Sequence, residues 1–251
     1  MIIPADKKRN SCNRMNKVSL DGIAIIERIK MHPDEDGRGR ERNKVIQYTT
    51  ENNKVMVAGK INTPLIFGHE IYGEGFYNFM LAVPRLSEYV DILPVTISER
   101  LLDTTGLSVG TEIVINGQLR SYNKYIEGKN RLILTIFTRD ISIKDEEIRN
   151  PNQIYLDGYI CKPPIYRTTP FQREIADILL AVNRSYNKSD YVPVITWGRN
   201  AKFSQKLSVG QRIRVWGRIQ SRPYKKKMPN GEIIDRTAYE VSVSKMEVAN
   251  G

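Results

Sequence analysis

A chain of 251 residues with 40% apolar and 27% charged side chains has the balance of a globular protein rather than a disordered one, and no apolar run reaches the roughly 18–20 residues of a membrane span. The opening MIIPADKKRNSC lacks the apolar core of a secretory signal, and Cys12 and Cys161, far apart with no CxxC pairing, indicate neither a disulfide framework nor a zinc site, so a cytoplasmic protein is expected. A formal net charge of +11 points to a polyanionic partner.

The first stretch holds KKRNSCNRMNK (7–17), the apolar VSLDGIAIIERIK (18–30) and DEDGRGRERNK (34–44). Residues 1–45 are therefore expected to form a basic, flexible arm with one short amphipathic element. An extra phosphate contact or a docking segment is the other reading. Residues 1–50 carry 11 basic and 7 acidic side chains, residues 51–149 carry 11 and 13, and residues 150–251 carry 17 and 8. The attraction for a polyanion is concentrated in the last hundred residues, at a net +9.

The remainder repeats itself. VAGKI (57–61) precedes LDGYI (156–160) by 99 residues, as MLAVPR (80–85) precedes LLAVNR (179–184) and LPVT (93–96) precedes VPVI (192–195). LSVG occurs at 107–110 and 207–210, and NGQLRS (116–121) precedes WGRIQS (216–221), now 100 apart. A period of this length is too long for a solenoid and fits a duplicated domain, 46–149 followed by 150–251.

In the second copy, QIYLDGYI (153–160) alternates around a central glycine, as a strand with a bulge or sharp bend does. EIADILLAVNRS (174–185) and DYVPVITWG (190–198) give two more strands; the first of these reads as helix in isolation, but its duplicate FYNFMLAVP (76–84) alternates as a strand. RNAKFSQKLSVGQ (199–211) predicts a short helix stopped by Gly210. RIRVWGRIQSRPY (212–224) and RTAYEVSVSKMEV (236–248) form a hairpin around a Lys-rich tip. Three strands, a helix and two strands is the order of an OB-fold. The expectation is an all-β chain of two tandem five-stranded Greek-key barrels, each with one short helix.

The second copy resembles the bacterial single-stranded DNA-binding protein family along nearly its whole length. The resemblance rests on NQIYLDGYI, RTTP followed by LAVNRSY, YVPVITWGRNA, KLSVGQRIRVWGRIQSRPY and RTAYEVSV. The first copy follows the pattern more loosely, so the chain resembles a tandem two-barrel member, and residues 1–45 fall outside the likeness. The resemblance implies binding of single-stranded DNA with little sequence preference, with roles in replication, repair or recombination. Basic side chains would displace counterions from phosphates, and aromatic rings would stack on bases at roughly 1–3 kcal/mol each.

The stacking positions implied by the resemblance are Tyr186, Tyr191, Trp197 and Tyr224. Arg184, Lys188, Arg199, Lys202, Arg218, Arg222, Lys225, Lys226 and Lys227 lie near them in sequence and are the candidate phosphate contacts. A core position is the alternative for Trp197, and Trp216, beside Val215 and Gly217, is assigned to packing or an interface. In the first copy the four ring positions become Ser87, Ile92, Ser98 and Lys124. Its rings, Tyr72, Phe76, Tyr77, Tyr89, Tyr122 and Tyr125, fall elsewhere. That copy is expected to serve structure or assembly, with Arg120, Tyr122, Lys124 and Tyr125 as a lesser DNA contact. A strand wrapped over its other rings is the opposing reading.

The family commonly presents four barrels, so the resemblance implies a homodimer, with a monomer carrying one active fold as the alternative. The chain ends in SKMEVANG, without the acidic tail by which the family recruits replication and repair proteins, so the expectation is that recruitment is absent, that it uses the acidic first copy, or that the protein is a specialised paralogue. Enzymatic readings find no support: His32 and His69 have no metal-ligand spacing, no P-loop, GxSxG or HExxH occurs, and no cofactor is expected. A polybasic membrane contact at Lys225–Lys227 has no adjoining apolar face. Two other functions stay open: a primosome-like OB-fold accessory protein acting in assembly, and a single-stranded RNA-binding protein, because no residue pattern tests a 2′-hydroxyl.

Overall fold

Apolar residues alternate with polar ones along each stretch expected to be extended, and the structure, a computed structural model, folds those stretches as strands. It describes residues 52–102, 106–126, 128–228 and 231–249. The expected N-terminal arm, 1–45, lies outside the described residues. The first copy holds β1 (Asn53–Ile61), β2 (Ile66–Ile71), β3 (Glu74–Pro84), β4 (Val90–Ser98), α1 (Glu99–Leu102), β5 (Glu112–Ile126) and β6 (Lys129–Ile143). The second holds β7 (Asn152–Ile160), β8 (Ile165–Thr168), β9 (Glu174–Arg184), β10 (Lys188–Trp197), α2 (Arg199–Ser204), β11 (Arg212–Lys227) and β12 (Ile233–Val248).

Each copy closes a barrel. β1 pairs with β3 and β5, β3 with β4, β5 with β6, and a parallel pairing of β4 with β6 completes the ring. β7, β9, β10, β12 and β11 repeat the same circuit. Six strands per copy, rather than five, is only a difference of segmentation. β2 and β8 pair with the same sides of β3 and β9 as β1 and β7, and so continue the first strand after a break.

Gly59 and Gly158 explain how one strand can serve two neighbours. A Cβ at either position would strike the carbonyl oxygen of Ala82 or Ala181 on the crossing strand. The central glycine of β7 thus marks a close backbone approach, and the pairing of β7 runs there without a bulge. Bulges do occur at Asn116/Gly117 and Trp216/Gly217, where β5 and β11 must bend to close the barrels.

Inside the barrels, Val57, Leu81, Leu93 and Ile136 in the first copy and Leu156, Leu180, Val192 and Val241 in the second are fully buried. Each removes a branched side chain from water, a contribution of about 1.5–3 kcal/mol. The helix expected over 199–211 is shorter than that. α2 ends at Ser204, and Gly210 (φ 85) sits in a turn closed by a bond from the Gln211 N–H to the Ser208 carbonyl, so it does not stop the helix. The expected Lys-rich tip is also different, because Lys225, Lys226 and Lys227 continue β11 and pair with Asp235, Ile234 and Ile233.

β1 and β7 pair antiparallel, joining the barrels into one 12-stranded sheet. Val55 faces Ile154, its own counterpart 99 residues later, so an internal two-fold axis passes through that pair. Asn53 and Asn152 flank the axis, each bonded through its side-chain amide to a backbone of its own barrel, at Leu119 and Ile219.

Candidate nucleic-acid interface

Buried charge holds the second seam between the barrels. Asp91 is inaccessible and accepts Arg85 of its own barrel at 2.7 and 2.6 Å. From the other barrel it accepts the Ser221 N–H at 2.8 Å and Arg218 at 3.4 Å. Asp190, its counterpart, accepts Arg184 at 3.4 Å, the Ser121 N–H at 2.7 Å and Arg120 at 3.0 Å. The hydrogen bond to Asp91 holds the Arg85 guanidinium above its usual range, whereas burial and the nearby Arg85 charge push Arg218 down. Burial likewise pushes Arg120 down.

Arg218 and Arg120 therefore bridge this seam, Arg184 pairs with Asp190 inside its own barrel, and the freedom of all three to follow a phosphate backbone is reduced accordingly. Sequence proximity to aromatic positions had suggested them as phosphate contacts; the carboxylates that hold Arg218 and Arg120 are far away in sequence. Arg222 is half-exposed beside Glu240 at 3.3 Å, and Lys202 is exposed beside Glu174 at 3.1 Å, whose hydrogen bond raises the ammonium pKa. Lys188, Arg199 and Lys227 are exposed and Lys226 is half-buried. Lys225 lies 4.0 Å from Asp235 with both groups in solvent, a pair worth little.

The four candidate rings all reach the surface. Tyr186 is 86% exposed at the β9–β10 turn, where it and Asn187 take left-handed φ values of 62 and 54. Such turns match the twist of the flanking strands. Tyr191 and Trp197 lie six residues apart on β10, so they share its outer face at a separation of about 20 Å. The Trp197 ring lines a surface trough and its Nε1–H donates to Ser242 Oγ at 3.2 Å, so it is not a core residue. Tyr224 stands on β11 opposite Arg236. Trp216 packs 5.2 Å from the Tyr155 ring with the Lys245 ammonium 4.4 Å from its centroid, which fits the packing assignment.

These residues do not form one patch on the second barrel. Trp197, Arg218 and Arg222 line a trough of about 1020 Å³ whose other wall is the first barrel, through Arg85, Tyr89 and Ile92. Tyr191 lies at the far end of β10, where its N–H donates to Ser121 Oγ of β5, the strand that carries Tyr122, Lys124 and Tyr125. Tyr122 and Tyr125 are 50% and 72% exposed. The trough also brings in Arg167, Arg173 and Tyr239, which sequence reasoning did not single out. The one available signal was the repeat itself, which sets Asp91 and Asp190 in register as isolated acids at the start of apolar strands.

Among the described residues, no group of His, Cys, Asp and Glu is placed to hold a metal ion, and no helix is long and apolar enough to cross a membrane. A model of the single-strand binding protein family matches residues 151–249. Single-stranded DNA-binding protein B of Bacillus subtilis (strain 168) is 36% identical over 83 residues, 29% of this chain and 71% of that protein. The chain belongs to the single-strand binding protein family.

Single-stranded DNA-binding protein 1 of Staphylococcus aureus (strain COL) is 36% identical over 80 residues, 29% of this chain. The match takes in 48% of that protein, so the chain spans about half the length of this family relative. The wild-type single-stranded DNA binding protein from Thermus aquaticus superposes with a TM-score of 0.63 at 19% identity, over 79% of this chain and 93% of that one. That likeness is one of fold, and it extends beyond a single barrel.

Proposed function

We propose that the chain binds single-stranded DNA with little sequence preference, stacking bases on Tyr186, Tyr191, Trp197 and Tyr224 and neutralising phosphates with Lys188, Arg199, Lys202, Arg222 and Lys225–Lys227. The observation that carries this reading is the exposure of four aromatic rings on the half of the chain that holds a net +9. Rings interleaved with cations suit unpaired strands, whose bases are free to stack, and not duplex, whose bases are already stacked. Family membership and the names of the relatives support the same reading. Protection of unpaired strands in replication, repair or recombination, in a bacterial cytoplasm, is the setting that fits it. A homodimer would present four barrels, and residues 46–149 and 150–251 are read as its two repeating domains.

Titration of intrinsic tryptophan fluorescence with oligo-dT, oligo-rU and a duplex of equal length, at low and high salt, tests the proposal. Quenching by dT well below the concentrations needed for duplex is expected. Equal affinity for duplex and single strand overturns it, and tighter binding of rU would move the substrate to RNA.

A further inference from the structure

Five arginines, Arg85, Arg167, Arg173, Arg218 and Arg222, line the trough between the barrels. Arg85 and Arg218 are paired with the buried Asp91 behind the lining, Arg167 with Asp177, and Arg222 with Glu240, which also accepts Gln220; Arg173 has no carboxylate partner among the described residues. Its volume of about 1020 Å³ is at the upper end of what small-molecule sites occupy, so a stretch of extended chain fits it better than a compact ligand. Rings stand on both walls: Trp197 on the second barrel and Tyr89 on the first. Tyr89 is 73% exposed and is not the first-copy counterpart of any of the four ring positions implied by the family.

Three contacts in series hold Tyr89 in place. The buried Asp91 carboxylate fixes Arg85, the Arg85 guanidinium lies 6.0 Å from the Tyr89 ring centroid, and the Arg85 N–H donates to the Tyr89 carbonyl at 2.9 Å. A ring supported by a cation on one side keeps its other face for a second π-system, and a side chain already ordered loses little entropy on binding. The two-fold mates of Tyr89 and Trp197 are Lys188 and Ser98, so the related position on the opposite side of the molecule has neither ring.

We propose that the bound single strand crosses this inter-barrel trough, stacking a base on Tyr89 of the first barrel as well as on Trp197 of the second, with Arg173 and Arg222 meeting the intervening phosphates. The proposal rests on the single-stranded DNA reading and adds to it that the first barrel, despite its slightly negative charge, supplies one wall of the site. The negative charge of that barrel is not spread over this wall, whose contribution to the lining is Arg85, Tyr89 and apolar side chains.

The test compares full-length wild type with Tyr89→Ala, Tyr89→Phe and Trp197→Ala in oligo-dT titrations. It adds photo-crosslinking to a dT oligonucleotide carrying 5-iododeoxyuridine, with the adducts mapped by mass spectrometry. Tyr89→Ala is expected to weaken binding by roughly 5- to 150-fold, the equivalent of one lost base stack, with an unchanged melting temperature because the ring is exposed. Tyr89→Phe should restore affinity, and an adduct on Tyr89 should form. Wild-type affinity of Tyr89→Ala beside a weakened Trp197→Ala overturns this inference alone. Failure of the wild type to bind oligo-dT overturns the underlying reading as well.

Discussion

Asp91 and Asp190 lie 99 residues apart in sequence, are equally inaccessible, and each takes a backbone N–H and a guanidinium from the opposite barrel. The seam between the barrels is therefore ionic and reciprocal. Removing one carboxylate strands two arginines, Arg85 and Arg218 or Arg184 and Arg120, in a partly desolvated place.

Asp91→Ala should lower unfolding free energy by about 3 kcal/mol, the usual consequence of breaking a buried ion pair from one side. Urea denaturation followed by circular dichroism measures this. A loss below about 1 kcal/mol would mean that the seam contributes little to the coupling of the barrels.

The two barrels present their arginine from different positions. In the first the order is Gln118–Arg120, in the second Arg218–Gln220, and in both the arginine donates to the glutamine two residues away. Arg120→Gln alone should cost about 1.5–3 kcal/mol, as expected for a lost hydrogen bond to a charged group. The double exchange Gln118→Arg with Arg120→Gln should recover most of it, since it recreates the arrangement that serves Asp91. Additive losses in the double-mutant cycle would count against this equivalence.

Trp197→Ala should reduce affinity for oligo-dT by about 1–3 kcal/mol and abolish most of the fluorescence quench. Trp216, packed against Tyr155 and Lys245, should report little on DNA. A quench that survives Trp197→Ala would place the strand near Trp216 instead.

Along β11, Arg222, Tyr224 and Lys226 share one face, while Lys225 and Lys227 point to the other. A strand stacked on Tyr224 should meet Lys226 first. Lys226→Ala should reduce the slope of log K against log salt by about 0.7, and Lys225→Ala should reduce it by less, because Lys225 lies 4.0 Å from Asp235 on the other face. Equal effects from both would show that the β11–β12 hairpin is gripped from two sides.

Local pattern was enough to read most of the fold. Alternation in EIADILLAVNR, shared with its duplicate, fixed a strand where composition favoured a helix, and the 99-residue period located the two barrels. The limits of α2 and of the Lys-rich strand were not legible, because Ser204 and Gly210 both suit a helix end and Lys225–Lys227 are strand residues only by pairing with 233–235. The site was half legible. Exposed rings follow from their positions in the family pattern, but the seam carboxylates that engage Arg218 and Arg120 lie 127 and 70 residues from them in sequence. Tyr89 was visible as a ring and not as a wall, because a wall is made by two barrels and only their pairing brings it into being.

The ladder between β1 and β7 makes an internal dimer out of one polypeptide. In an assembly of identical subunits every substitution appears on both sides of the axis, and a surface of that symmetry cannot tell the 5′ from the 3′ direction of a strand laid across it. Fusion removes that restriction. Lys188 stands where the first barrel has Tyr89, and Ser98 where the second has Trp197, so the chain has two unlike ends to offer a polymer that is itself directional.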